Sequence, residues 1–190
     1  MTVEIMKMSV PTETPVFYIS LLHHPEILQL ARSAIDELRE RFPDSTPSNV
    51  QSVYMSPWKS HTETDKLKPL IDLVAECVKS AYRQHLGADL TELNFDLSVA
   101  DCWGAIYESS DFTQPHAHVP SDVSAVVYLE MDDNSAPIIF NNHLVVNPKS
   151  GTLVFFPGNL IHHVPATEGK RVIIALNFIK LPIFLAPLLK

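Results

Sequence analysis

The chain has 190 residues, of which 46% are hydrophobic and 19% are charged, and its formal net charge is -8. This length and composition predict one soluble domain over residues 1–190. An acidic chain without clustered Lys and Arg argues against a nucleic-acid partner. No apolar run approaches the roughly 20 residues of a membrane span, and the N-terminus lacks a signal-peptide pattern. With only Cys77 and Cys102, outside any CxxC spacing, the sequence favours a cytoplasmic location without disulfides.

Residues 1–93 are expected to form a helical support region. A helix is predicted to begin at Pro25 and to end near residue 42, because its apolar residues follow the 3.6-residue period. A second helix is predicted from about residue 65 to residue 86, with Gly87 at its end. Short strands are predicted at residues 16–21 and 53–55.

From residue 94 the pattern changes to short β-like runs that are separated by turn residues. The predicted strands are residues 95–99, 102–107, 123–130, 137–140, 144–146, 152–156 and 172–179. Helices followed by seven or eight strands favour an α+β chain with a jelly-roll or barrel core over residues 94–180. The apolar tail, residues 181–190, is expected to pack on this core or to form a homodimer contact.

Five of the nine histidines lie between residues 116 and 163. His116 and His118 are one residue apart, so on an extended segment both face the same side. A third histidine from a distant strand, with His162 and His163 as candidates, could complete one face of a metal's coordination sphere. The remaining positions would be open to substrate and oxygen. An HxH triplet alone is a weak signal, but the two clusters together predict a mononuclear iron site.

Arg171 stands at the start of an otherwise apolar predicted strand, nine residues past His162. Its charge would border a dry interior, which is costly unless the guanidinium meets an anion. Two partners are open at this point. The commoner one is a carboxylate of the chain itself, and the other is a bound dicarboxylate that pairs with the guanidinium fork.

The order and spacing of several segments resemble those of the iron(II)/2-oxoglutarate-dependent dioxygenases, which have a double-stranded β-helix core. The likeness is to oxygenases of phage and marine bacteria and, more distantly, to the prolyl 4-hydroxylases. It covers roughly the C-terminal two-fifths of the chain, in residues 107–116, 124–129, 147–157, 160–162 and 170–171. The resemblance implies that His116 and His162 bind iron(II) and that Arg171 binds the distal carboxylate of 2-oxoglutarate.

Two positions depart from that family pattern. His118 stands where the family usually has Asp or Glu, which implies a three-histidine face, with Asp122 as the alternative third ligand. Ile173 stands where the family often has a serine that hydrogen-bonds to the cosubstrate. Tyr107 or Tyr128 could supply that bond, although either residue could equally be a structural strand tyrosine.

The expected function is that of an iron(II)- and 2-oxoglutarate-dependent dioxygenase. Its iron would be held by His116, His118 and His162, and it would hydroxylate an unidentified small-molecule or peptide substrate. One alternative is a cupin-type metal enzyme that uses three histidines without 2-oxoglutarate. Another is a metal-free binding module on the same fold. Arg171 separates the first two hypotheses, because an enzyme without 2-oxoglutarate does not need an anchor for a dicarboxylate. His163 is expected on the opposite face from His162, and His143 in a turn.

Overall fold

The computed structural model describes residues 13–185. Three α-helices, one 3-10 turn and eleven strands alternate along this part of the chain. They are β1 (Phe17–Ser20), α1 (Pro25–Arg41), β2 (Val50–Gln51), β3 (Tyr54–Met55), α2 (Ser60–Glu63), a 3-10 turn (Asp65–Leu67), α3 (Lys68–His85), β4 (Phe95–Tyr107), β5 (Phe112–His116), β6 (Val123–Met131), β7 (Ile138–Phe140), β8 (Leu144–Val146), β9 (Thr152–Pro157), β10 (His162–Val164) and β11 (Arg171–Pro182).

The strands form two sheets. The larger sheet has six strands in the order β1-β9-β6-β11-β4-β3, and the smaller has five in the order β2-β5-β10-β7-β8. Every ladder within these two sheets is antiparallel. Side chains from both sheets, such as Trp103 and Phe156 from the larger and Phe140 and Val164 from the smaller, share one buried cluster. The two sheets therefore pack face to face.

The outer face of the larger sheet is covered by α1 and α3. Ala31, Ala34, Ile35 and Leu38 of α1 are buried there, at the helical spacing that the sequence shows. Gly104 of β4 permits this close packing, because a Cβ at this position would lie 2.7 Å from Ile35 Cγ1. The sheet thus has one face against the helices and one face against the smaller sheet.

Several bounds differ from those predicted. β4 is continuous through residues 100 and 101, where the sequence predicted a break, because it pairs with β11 along nearly its whole length. The second predicted helix starts as the 3-10 turn, and α3 proper begins at Lys68. Pro69 then falls in the first helical turn, where its missing N–H carries no penalty. The sequence did not predict the short strands β2, β5 and β10.

The last strand, β11, ends at Pro182, close to the end of the described residues. Leu181 and Pro182 continue β11, beyond the point where its pairing with β6 ends at Phe178. Ile183 and Phe184 of the tail are 40% and 75% exposed in the single chain, so these two side chains do not pack closely on the core, which was one of the two predicted arrangements. Residues 186–190 and 1–12 are outside the described residues, and a homodimer through the tail stays a prediction. None of the helices in residues 13–185 has the length and the apolar composition that a membrane span requires.

Candidate metal centre

Three histidines meet at the ends of two neighbouring strands of the smaller sheet. His116 closes β5 and His162 opens β10, and the antiparallel register sets these two residues directly opposite each other. His118 follows just beyond β5. One ring nitrogen from each histidine lies within 4.8 Å of the other two. Imidazole nitrogens bound to one ion, each at roughly 2.0–2.1 Å, span up to about 4 Å, so small side-chain rotations would bring all three onto one metal.

Backbone carbonyls orient two of these rings. His116 Nδ1 is 2.8 Å from the carbonyl oxygen of Gln114, and His162 Nδ1 is 3.0 Å from that of Leu160. A carbonyl can only accept, so each Nδ1 carries the proton and donates it. A neutral imidazole has one N–H, and Nε2 therefore keeps its lone pair for a metal. Metal-binding histidines in proteins usually have this arrangement.

All three histidines are held neutral. Burial lowers the pKa of His118 to about 3, with repulsion from His116 and His162 as smaller causes. Burial also lowers the pKa of His162 to about 4. The pKa of His116 is lowered for the same reason, although its hydrogen bond to Gln114 acts in the opposite direction. At neutral pH the cluster therefore presents lone pairs rather than positive charges, as metal ligation requires.

The backbone of His118 is fixed by a contact with the turn after β9. Its N–H donates to the carbonyl oxygen of Gly158 at 2.6 Å, and its own carbonyl accepts from Ser121 N at 2.7 Å. A Cβ on Gly158 would lie 2.2 Å from the carbonyl oxygen of Ser121. Only glycine allows the two turns to approach so closely. Gly158 thus helps to hold the His118 ring beside the other two.

A cavity between the sheets begins at the three histidines and ends at Arg171; we call it the inner cavity. Tyr107, Thr113 and Tyr128 supply its other polar groups, while aliphatic side chains and Trp103 form the rest of its wall. None of the described residues that line it carries a carboxylate.

Arg171 is the first residue of β11, between Tyr107 of β4 and Met131 of β6, and it is only 2% exposed. Its guanidinium carbon lies 4.3 Å from the centre of the Tyr107 ring and 5.8 Å from that of Tyr128. Nη1 donates to the carbonyl oxygen of Ala136 at a long 3.4 Å, and Nε has no partner among residues 13–185. No carboxylate of this described part of the chain forms an ion pair with it. The commoner alternative for Arg171, an internal ion pair, is therefore not observed there.

The two candidate tyrosines differ in their hydrogen bonds. Tyr107 Oη lies 2.9 Å from Thr113 Oγ1 and is satisfied within the cavity wall. Tyr128 is fully buried, and its hydroxyl has no partner within the described chain. Burial raises the pKa of Tyr128, so its hydroxyl keeps its proton. Tyr128 is thus the tyrosine with an unused donor beside Arg171.

A second cavity, the outer cavity, reaches the histidines from the surface. Trp58, Asp101, Val119 and Asn177 line it together with residues that it shares with the inner cavity, among them Trp103, His116 and His118. The Trp58 and Trp103 rings make an edge contact at 4.7 Å. The two cavities share His116 and His118, while Arg171 lines only the inner cavity and Asn177 only the outer one.

The other predicted residues lie elsewhere. Asp122, the alternative third ligand, accepts from Lys180 N at 2.7 Å and lies 3.2 Å from Lys180 Nζ, so its carboxylate is engaged away from the histidines. His163 pairs with Ile139 of β7 and is not one of the three clustered histidines. His143 lies in the turn between β7 and β8.

Sequence reasoning missed Gly158 and Asn177. Asn177 interrupts the apolar run of residues 172–179, and this isolated polar residue was a signal that could have been used. Gly158 follows Pro157 in what the sequence presents as an ordinary turn, and only the close approach to Ser121 reveals its role.

Comparisons with known proteins show which solved structures have a similar fold. No protein-family model matches the sequence, and no curated protein matches it. Among solved structures, a prolyl hydroxylase from Trichoplax adhaerens, in complex with a peptide of the hypoxia inducible factor oxygen degradation domain, is similar with a TM-score of 0.63 and 16% identity, over 86% of this chain and 83% of that chain. A prolyl-4-hydroxylase from Pseudomonas putida is similar with a TM-score of 0.63 and 15% identity, over 87% of this chain and 92% of that chain.

A third similar structure is that of an enzyme with a different reaction, an epimerase. The non-heme alpha ketoglutarate dependent epimerase of nogalamycin biosynthesis gives a TM-score of 0.63 at 13% identity, over 87% of this chain and 78% of that chain. At such low identities the likeness is one of fold, and the fold alone does not select a reaction. The resemblance noted in the sequence is confirmed at this level: the chain has the jelly-roll fold of the prolyl hydroxylases and related 2-oxoglutarate-dependent iron oxygenases.

Proposed function

We propose that the protein is an iron(II)- and 2-oxoglutarate-dependent oxygenase, with His116, His118 and His162 as the iron ligands. The observation that carries this proposal is the state of Arg171. It is a buried cation with no carboxylate partner among the described residues, and it faces the same cavity as the three histidines. A buried charge without a partner is strongly unfavourable, which favours an anion that comes from outside the chain.

The balance of charge supports a dianion in particular. Three neutral histidines leave the two positive charges of iron(II) uncompensated, and Arg171 adds a third positive charge to a cavity whose described lining has no carboxylate. A 2-oxo dicarboxylate suits both ends of this cavity. Its 2-oxo acid end would chelate the ion, and its distal carboxylate would meet the guanidinium fork of Arg171.

Each side chain then has a defined task. Arg171 and the unused hydroxyl of Tyr128 would donate hydrogen bonds to the distal carboxylate, and Tyr128 would replace the serine that Ile173 displaces. Apolar walls such as Val126 and Ile138 would exclude water and so strengthen those contacts. Iron bound at the histidines would supply the activation of oxygen that is needed to oxidise a substrate C–H bond. The substrate, an unidentified small molecule or peptide, would approach through the outer cavity.

The deciding experiment is a titration of the anaerobic iron(II) protein with 2-oxoglutarate, followed by the metal-to-ligand charge-transfer absorption. We expect a saturable band in the parent protein. Arg171→Leu should retain iron and weaken 2-oxoglutarate binding at least tenfold. The substitution removes a charge-assisted contact of roughly 1.5–3 kcal/mol, or about one to two orders of magnitude in Kd.

Arg83→Leu is the matched control, because it removes the same charge at an exposed position of α3 outside both cavities. It should bind 2-oxoglutarate like the parent. Equal binding by Arg171→Leu and the parent would make Arg171 structural and would remove the main support for this function.

The second candidate is a three-histidine metal enzyme of the cupin type that does not use 2-oxoglutarate. The observation that favours it is the ligand set, because His118 occupies the position of the usual carboxylate. Stoichiometric iron without any spectral response to 2-oxoglutarate would select this candidate. Protein purified without chelator that holds no iron, cobalt or nickel would favour a metal-free binding module.

A further inference from the structure

His118 differs from the other two histidines in what its Nδ1 meets. His116 and His162 each donate from Nδ1 to a backbone carbonyl two residues earlier. His118 makes no such bond within the described chain. Its Nδ1 instead lies 3.4 Å from the side-chain amide nitrogen Nδ2 of Asn177. The metal centre therefore has two rings oriented by the backbone and one ring whose neighbour is a side chain.

Asn177 is itself held in place. It is 5% exposed, on the face of β11 that points between the sheets, and the ladder sets it opposite Ser124 of β6. Ser124 is 2% exposed, and its Oγ lies 2.8 Å from Asn177 Oδ1. The amide is thus fixed between a hydroxyl on one side and an imidazole on the other.

The hydrogen-bonded series Ser124–Asn177–His118 can adopt two orientations of the amide with nearly the same heavy-atom positions. A hydroxyl can donate or accept, and an amide can exchange its oxygen and nitrogen by rotation about its terminal bond. With the amide nitrogen towards His118, as in this structure, Nδ1 accepts and the proton lies on Nε2, which then has no lone pair for a metal. With the amide oxygen towards His118, Nδ1 donates and Nε2 is available, as in His116 and His162.

We propose that Asn177, supported by Ser124, is the positioning residue that sets the tautomer of His118 and so completes the three-histidine metal centre. The proposed state has the amide rotated by a half-turn, so that its oxygen rather than Nδ2 faces His118 and accepts from Nδ1, as the carbonyls of Gln114 and Leu160 do for the other two rings. The inference rests on the metal ligands of the proposed function, but it does not depend on 2-oxoglutarate.

An amide that hydrogen-bonds to a ligand histidine affects the bound metal differently from a carboxylate at the same place. Hydrogen-bond partners behind a ligand histidine fix its orientation and tune its basicity, and a carboxylate there makes the imidazole more electron-rich. Asn177 orients His118 without lending negative charge to the metal. Asn177→Asp would keep an acceptor at the same place and would hold the proton on Nδ1 permanently, so it should preserve or strengthen metal binding.

The test is a titration of the metal-free full-length protein with cobalt(II), followed by the visible absorption of the bound ion. Asn177→Leu keeps a similar volume but removes the acceptor, and we expect cobalt(II) binding to weaken about 10- to 100-fold, the usual effect of losing such a partner. Asn177→Asp should bind at least as tightly as the parent. Ser124→Ala should fall between the parent and Asn177→Leu, because the amide is then held at one end only.

A purely structural role for Asn177 predicts a different outcome, in which the Asp and Leu variants lose cobalt(II) alike. That result, or parent-like binding by Asn177→Leu, would overturn the proposal. If Asn177→Leu fails to fold, the test uses the parent protein with zinc(II) bound, in which the ¹⁵N resonances of His118 show which ring nitrogen carries the proton. A protonated Nδ1 supports the proposal, and a protonated Nε2 overturns it. Failure of 2-oxoglutarate to bind would refute the proposed cosubstrate and leave this inference unaffected.

Discussion

The two faces of β11 are both buried, yet they carry very different residues. On the outer face Val172, Ile174, Leu176 and Phe178 pack against the helices, and all four are completely buried. On the inner face the alternate positions are Arg171, Ile173, Ala175 and Asn177, which line the inner and outer cavities. One strand therefore supplies a purely apolar surface to one layer and two polar side chains to the other.

This difference separates stability from function along a single strand. The outer residues contribute burial of apolar area, which needs only suitable volume and shape. Burying Arg171 and Asn177 is costly on its own, so their presence is explained by what they bind rather than by the stability of the fold. Substitutions on the two faces should accordingly change different measurable quantities.

The largest effect is expected at the metal, from His162→Ala. The substitution removes one of three ligands and should abolish stoichiometric iron(II) binding, together with the 2-oxoglutarate charge-transfer band that depends on it. Metal analysis after dialysis measures the loss. His163→Ala is the control, since this neighbour is not among the clustered histidines. Retention of one iron per chain by His162→Ala would show that this histidine is not a ligand.

A large loss of stability is expected on the outer face, from Ile174→Ala. Ile174 is fully buried against the helices, so the free energy of unfolding should fall by about 2–5 kcal/mol. Urea unfolding of the metal-free protein measures it. The fraction that remains folded should bind iron(II) like the parent. Loss of metal affinity in a folded variant would show that the two faces of β11 are coupled.

On the inner face, Arg171→Met should not lower the free energy of unfolding, in contrast to Ile174→Ala on the outer face. Removing a buried charge that has no carboxylate partner among the described residues leaves no orphaned anion behind. The metal-free protein should therefore be as stable as the parent or more stable, by up to about 4 kcal/mol in urea unfolding. A loss of about 3–5 kcal/mol would instead be the mark of a broken ion pair, and the functional assignment of Arg171 would fail.

The smallest expected effect belongs to Ile173→Ser. This change adds a hydroxyl on the wall that Ile173 shares with Arg171, at the position where the resembling family often has serine. One further net hydrogen bond is worth about 0.5–1.5 kcal/mol, so 2-oxoglutarate should bind about two- to tenfold tighter. Ile173→Ala is the matched control without the hydroxyl. If both variants bind 2-oxoglutarate equally, the hydroxyl does not reach the cosubstrate.

The sequence was informative where elements are long or where chemistry is concentrated. The apolar period that begins at Pro25 corresponds to α1, and the runs at 123–130 and 152–156 correspond to β6 and β9. The clustering of His116, His118 and His162 was predicted from the sequence, and the three rings do lie together. Arg171 was identified because a lone charge in an apolar strand requires a partner.

Other features could not be read from one sequence. The strands β2, β5 and β10 have two to five residues, too few for a period to be recognised. The register that sets His116 opposite His162 depends on pairing between distant segments, which periodicity does not encode. The role of Asn177 can be recognised only from its contacts with Ser124 and His118, which lie on other segments. The identity of the substrate depends on the outer cavity, whose lining comes from several separated segments.

The position of β11 in the larger sheet has a consequence for the order in which the protein folds. It is the last described strand in the chain, but it lies in the interior of the sheet between β4 and β6. Its partners in β4 are separated from it by 64 or more residues, as Arg171 and Tyr107 show. Such non-local pairing is slow to form. Because Arg171 and Asn177 are both on this strand, the binding site cannot be completed before the sheet closes. Acquisition of metal affinity should therefore report the final step of folding rather than an early one.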